Sequence, residues 1–78
     1  MNKELKKAIA YVKKNLEDYE LAELNAQMEE AYAMHLMPDV CCNYDKVIDL
    51  LEEYGEDNEL GEGWWEEYGD INDILFEL

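Results

Sequence analysis

The chain contains no arginine, no serine and no threonine among its 78 residues, and only 6 lysines answer 21 aspartates and glutamates. Each absence excludes something. Without serine or threonine there is no aliphatic hydroxyl nucleophile, no phosphate loop ending in Gly-Lys-Ser/Thr, and no serine to carry a prosthetic arm. Without arginine there is no planar fork to clamp a phosphate or carboxylate through two parallel hydrogen bonds. These gaps argue against most small enzymes. The reading is of a protein that is not an enzyme and has no cofactor. Its formal net charge of -15 points to a basic partner.

A chain this short buries only roughly 60% of the surface its unfolded form exposes, so one core is the ceiling. Residues 1–78 are read as a single acidic helical domain. The composition is 49% apolar with nine aromatic residues, enough to fill a small core despite the charge. No apolar run approaches the roughly 18 residues a membrane span requires. The lysine-rich stretch 1–16 lacks the continuous apolar core of a signal peptide. The two cysteines, Cys41 and Cys42, are adjacent. Neighbours are poorly placed for a relaxed bridge, which prefers Cα atoms about 5.5 Å apart. Reduced thiols and a cytoplasmic location are expected.

Apolar residues recur with helical phase, about 100° per residue. Leu5, Ile9, Val12, Leu16 and Tyr19 fall on one stripe, so a helix is expected over about 3–17, with Asn2 as N-cap. Leu21, Leu24, Met28, Ala31 and His35 form a second stripe rotated by about 120°, and one straight helix cannot aim both at a single core. A break near Glu17 to Glu20 follows, with Asp18 capping a second helix that runs to about Met37 and stops at Pro38. A third helix is expected over Tyr44 to Tyr54. Asn43 would be its N-cap, Gly55 its left-handed terminator, and Val47, Leu50, Leu51 and Tyr54 its core stripe. Glu56 to Gly63 reads as a loop and Trp64 to Tyr68 as a helical turn. Asp70 would cap a last segment, Ile71 to Leu78, which fits a short helix or a strand. The fold class is therefore mainly α: a small bundle of three to four helices.

The sequence from Glu52 to Leu60 is echoed 14 residues later from Glu66 to Ile74. That is too short and too few for a solenoid. It describes either two helix ends with the same acidic-aromatic-glycine stop, or two similar surface elements pairing carboxylates with a ring.

Charge is partitioned along the chain. Residues 1–14 hold five lysines and one glutamate, a balance of +4, whereas 15–78 hold twenty acids and one lysine, a balance of -19. The first helix can lie against the acidic remainder and offset self-repulsion. From Asp49 onward there is no basic residue. On the third helix Asp45, Asp49, Glu52 and Glu56 share the face opposite the core stripe. Their separation spans about 16 Å at 1.5 Å per residue, with a carboxylate about every 5 Å. One strand of duplex DNA carries a phosphate about every 3.4 Å. Glu53, Asp57, Glu59, Glu62, Glu66, Glu67 and Asp70 extend the acidic surface. An ordinary solvated face would intersperse lysines, and unrelieved acids at this spacing cost a helix a few tenths of a kcal/mol per pair.

Other chemistry is poorly supported. Setting Gly61 at position 6 of a calcium loop puts Glu56, Asn58 and Glu67 at positions 1, 3 and 12, but Leu60 occupies position 5, where a ligand is required. His35, Cys41 and Cys42 lack a fourth zinc ligand at usual spacing, and His35 reads as a partly buried structural histidine. No flanking motif supports a Cys-His nucleophile. Glu66 and Glu67 have no pocket signature to make them an acid-base pair. No metal site is expected. For Trp64 and Trp65 two arrangements stay open: one ring in the core with the other, Trp65, at the surface as an interface anchor, or both over the core.

In size, charge and the acidic-aromatic half from Glu52 to Leu78, the chain resembles small acidic DNA-mimic inhibitors of phages and mobile elements, the anti-CRISPR and antirestriction class. Glu66-Glu67-Tyr68-Gly69-Asp70 is faintly similar to antirestriction proteins of the ArdA type. The resemblance implies carboxylates standing in for phosphates in the basic nucleic-acid groove of a CRISPR effector or restriction nuclease, in the cytoplasm of a host bacterium. The partner would be that basic protein, with no direct contact to nucleic acid or membrane. The partner-binding residues would be Asp45, Asp49, Glu52, Glu53, Glu56, Asp57, Glu59, Glu62, Trp65, Glu66, Glu67 and Asp70. Two alternatives compete. One is an acidic immunity protein or antitoxin that neutralises a basic nuclease toxin, although the Tyr-Tyr-Pro signature of the colicin DNase immunity family is absent. The other is a protein-protein adaptor unrelated to defence.

Overall fold

The structure, a computed structural model, describes residues 3–78. The expected cap at Asn2 lies outside them. Among the described residues five α-helices and one 3₁₀ turn follow in order: α1 (Lys3–Asn15), α2 (Asp18–Ala33), α3 (Pro38–Cys41), α4 (Asp45–Asp57), the turn Trp64–Glu67, and α5 (Ile71–Phe76). There is no strand among the described residues. The protein is a mainly α bundle, with one short helix, α3, beyond the expected set.

α1 buries Leu5, Ala8, Ile9 and Val12 against α4, while Lys3, Lys6, Lys7, Lys13 and Lys14 all stand exposed. The buried centre of the α1–α4 contact is therefore apolar, and the lysines face water. Two tyrosines tie the pair together. The Tyr11 and Tyr54 rings lie 5.6 Å apart at 55°, and the Tyr54 hydroxyl donates to Glu4 Oε2 at 3.2 Å. The chain breaks after Leu16, as the phase shift requires. Tyr19 falls beyond that break and is 70% exposed, not part of the first stripe. The cap of α2 is Glu17 rather than Asp18, because Glu20 reaches back to accept the Glu17 backbone N–H at 3.0 Å.

α2 and α4 both end where sequence alone misplaces them. α2 stops at Ala33, not Met37, in a turn where Leu36 N–H donates to Ala31 O (2.9 Å) and His35 N–H to Tyr32 O (3.2 Å). His35 takes the left-handed conformation, φ 58°, and is exposed, not the partly buried histidine expected. α4 ends the same way: Leu60 N–H donates to Gly55 O (2.8 Å), Glu59 N–H to Glu56 O (3.3 Å), and Glu59 has φ 57°. This is the Schellman arrangement, with glycine missing from the position that favours it. Pro38 does not simply stop α2. It opens α3, where its missing N–H costs nothing.

Gly55 is thus inside α4, not its terminator. Trp64 stacks on the helix there and donates its indole N–H to the Leu51 carbonyl at 2.9 Å. A Cβ on Gly55 would come 2.5 Å from Trp64 Nε1. The glycine makes a notch for the ring. Both tryptophans are 6% exposed, so the arrangement with two buried rings holds and Trp65 is not a surface anchor. Tyr44 sits at the N-cap of α4, with Asn43 Oδ1 accepting the Asp45 N–H at 3.3 Å from one residue before. The final segment is a helix because Asp70 and Asp73 cap reciprocally: Asp73 N–H donates to Asp70 Oδ1 (3.1 Å) and Asp70 N–H to Asp73 Oδ2 (3.2 Å).

Candidate acidic interface

α4 organises the acidic surface. Asp45, Asp49 and Glu56 stand exposed on the side away from Val47, Leu50, Leu51 and Tyr54, as the phase arithmetic requires. Glu52, the third member of the row, is different. Both of its oxygens accept the Gly63 backbone N–H at 3.1 Å, and Oε1 also accepts the Trp65 indole N–H at 3.0 Å. This half-buried carboxylate pins the 58–63 loop and the 3₁₀ turn to α4. With Glu52 turned inward, the free carboxylates on this face fall to a spacing of about 6 Å, then about 10 Å, by helix rise.

The loop fills part of that gap. Glu52, Glu56 and Glu62 line one hollow with Gly61, of about 360 Å³, so the chain after α4 does bring a further carboxylate beside the row. At the other end Asp45 and Asp49 line a groove of about 300 Å³ with Glu20 and Glu23 of α2. Those two α2 acids were not among the sequence candidates. Their signal was an acidic pair three residues apart on one helix face, but only the groove that α2 and α4 line together shows which face it joins. Among the described residues Lys46 is the one cation in that groove.

The remaining candidates separate. Glu66 and Asp70 rim a largely apolar groove of about 330 Å³ floored by Tyr44, Ile48, Trp65 and Ile71. Trp65 therefore contributes a wall, not a protruding ring. Asp70 is engaged as the cap of α5. Glu53 and Asp57 face α1: the Glu53 carboxylate, hydrogen-bonded to the Tyr11 hydroxyl, raises that phenol above its ordinary pKa, with desolvation and the charges of Glu53 and Asp57 adding to it. Burial raises Tyr54 in the same direction, and its bond to Glu4 adds to it. Glu59, Glu62 and Glu67 are exposed, Glu59 in its left-handed turn.

The echoed motif does not make two equal elements. Its first copy covers the last turns of α4 and the turn that closes it, with Gly55 inside the helix and Tyr54 buried; its second starts in the 3₁₀ turn and runs into α5, with Tyr68 exposed. Tyr68 stacks edge-on to Trp64 at 6.1 Å. Neither the matched-helix-end nor the matched-surface reading survives.

Burial pushes the Cys42 thiol up, and the neighbouring Cys41 adds to the shift, the opposite of what a nucleophile needs. Among the described residues no group of three His, Cys, Asp or Glu side chains is placed to hold a metal ion, and no helix is long and apolar enough to cross a membrane. No protein-family model matches the chain, and neither curated proteins nor solved structures give a significant match.

Proposed function

We propose that this protein is an acidic DNA mimic that occupies the basic nucleic-acid groove of a defence nuclease, a CRISPR effector or restriction enzyme, and blocks its access to DNA. One observation carries the reading: along α4, its following loop and the adjoining side of α2, exposed carboxylates outnumber the single cation described there, Lys46. Asp45, Asp49, Glu56 and Glu62 are exposed along α4 and its following loop, Glu20 and Glu23 extend them on one side, and Glu66 lies beyond. Lys46 is the last basic residue in the chain.

Such a face raises the local concentration of a basic partner and speeds encounter in a salt-dependent way. Glu52, Asp70 and Trp65 act by holding the surface in shape rather than by meeting the partner. Displacement of duplex DNA from guide-loaded CRISPR effectors and restriction enzymes, at two salt concentrations, tests the proposal. Displacement that weakens as salt rises supports it, and no displacement from any of them counts against it, leaving the immunity-protein and adaptor readings.

A further inference from the structure

The exposed apolar residues are concentrated. Met34, Met37 and Val40 are each more than half exposed within a stretch of seven residues, Leu36 between them is also exposed, and Tyr32 precedes them at the end of α2. Phe76, 62% exposed, lies on α5, the helix on which α3 packs. It stands one helical turn after Asn72, the residue that faces α3.

This patch rests on a fixed backbone. The Schellman turn at His35 closes α2, and Cys42 N–H donates to Pro38 O at 2.8 Å within α3. Asn72, buried at 8%, accepts the Asp39 N–H on Oδ1 at 2.8 Å and holds α3 to α5, while Gln27 Oε1 accepts the Asn43 N–H at 3.0 Å and holds the other end to α2.

The surroundings select the occupant. Glu29, Glu30, Asp39 and Asp73 are exposed on the three helices that carry the patch, while Glu77, just after α5, shares a hollow with Lys6 and Lys13 of α1. Between Lys14 and Lys46 there is no lysine, and α5 has none. A second copy would bring the same net charge of -15 against itself, and an anionic lipid surface would be repelled for the same reason. Apolar anchors, two of them adaptable methionines, on helices whose exposed charges are carboxylates match an amphipathic helix with lysine or arginine on its polar face. We infer that the α2–α3–α5 patch centred on Met34, Met37 and Val40 is a docking surface for a cationic amphipathic helix of a partner protein, separate from the carboxylate face of α4.

The test uses the full chain and needs no nuclease, so its result is independent of the DNA-mimic reading. The probe is an eighteen-residue peptide, about five helical turns, with leucines on one face and lysines on the other. Controls replace the leucines by glutamine or the lysines by glutamate, and a further arm offers phosphatidylcholine vesicles containing phosphatidylglycerol. Binding is followed by methyl NMR and sedimentation. The leucine-lysine peptide should shift the methyls of Met34, Met37 and Val40 and bind about tenfold or more tightly than either control peptide, and Met37→Gln with Val40→Gln should remove that advantage. Tyr19→Gln, an exposed aromatic elsewhere, should leave it unchanged. Absence of binding, equal binding of the glutamine or glutamate control, shifts confined to Ile48 and Ile71, vesicle binding, or self-association of the free protein would each overturn the assignment.

Discussion

The Trp65 indole N–H donates to the Glu52 carboxylate at 3.0 Å, so the acid at the middle of the α4 row is bound inward, to the protein's own 3₁₀ turn. The same carboxylate takes the Gly63 N–H. Negative charge on this face thus has two roles, and substitution separates them. Glu52→Ala leaves two part-buried donors unpaired, at about 1–3 kcal/mol for each group that water cannot reach. Asp49→Ala and Glu66→Ala remove exposed acids and should fall within about 0.5 kcal/mol of wild type. Urea denaturation followed by tryptophan fluorescence checks this. Equal stabilities for all three variants would show that Glu52 is as free as its neighbours.

Gly55→Ala is expected to destabilise, against the usual trend for a glycine inside a helix. Alanine should gain about 1 kcal/mol in helix propensity. It also places a methyl 2.5 Å from Trp64 Nε1, where overpacking costs about 1–3 kcal/mol and the ring must leave the Leu51 carbonyl. A lower denaturation midpoint with red-shifted tryptophan emission is the expected pair of observations. A more stable variant with unchanged emission would mean that the ring does not fill the notch.

That glycine shows where the sequence was legible and where it was not. The break between α1 and α2 could be read because two apolar stripes differ in phase, and Asp70 could be read as a cap, but the segment after it stayed open between helix and strand until the reciprocal bonds with Asp73 decided it. Gly55 looked like a helix terminator, since local rules see a glycine after an aromatic residue and not a tryptophan nine residues on. The true terminators, His35 and Glu59, are residues that seldom adopt positive φ, so composition hid them. The acidic face was legible as a helical pattern, but the inward turn of Glu52, the burial of Trp65 and the approach of Glu20 and Glu23 depend on tertiary packing.

Those two terminators are sites for stabilisation. A left-handed residue with a Cβ carries a penalty of roughly 1–2 kcal/mol that glycine avoids, partly offset by glycine's greater freedom when unfolded. Glu59→Gly and His35→Gly should each raise stability by up to about 1 kcal/mol. Glu59→Gln removes the same charge but keeps the Cβ, so the gain of Glu59→Gly over Glu59→Gln measures the backbone effect in thermal melts. If glycine and glutamine were equal, charge relief alone would be responsible.

The tyrosine pair between α1 and α4 predicts an alkaline limit. Both phenols are raised above the ordinary value of 10.0 in the folded protein. The folded state therefore holds their protons more tightly than the unfolded chain does. Their contribution is fully present below pH 10 and is lost as pH rises through the folded values. Tyr54→Phe loses the hydrogen bond to Glu4, about 0.5–1.5 kcal/mol near neutrality, and should flatten the fall in stability above pH 10. Chemical denaturation from pH 8 to 11 checks it, and an unchanged slope in the variant would contradict the account.

The central claim is that exposed carboxylates stand in for phosphates. Its most direct test is a competition assay in which duplex DNA and the protein compete for a guide-loaded CRISPR effector or a restriction enzyme, comparing wild type with the variant Asp45→Asn, Asp49→Asn, Glu56→Gln and Glu66→Gln, which leaves Glu52 and Asp70 in place. The expected result is displacement by wild type that weakens as salt rises, and a loss of roughly tenfold or more in the variant at unchanged fold. Inhibition by the variant equal to that of wild type would contradict the claim.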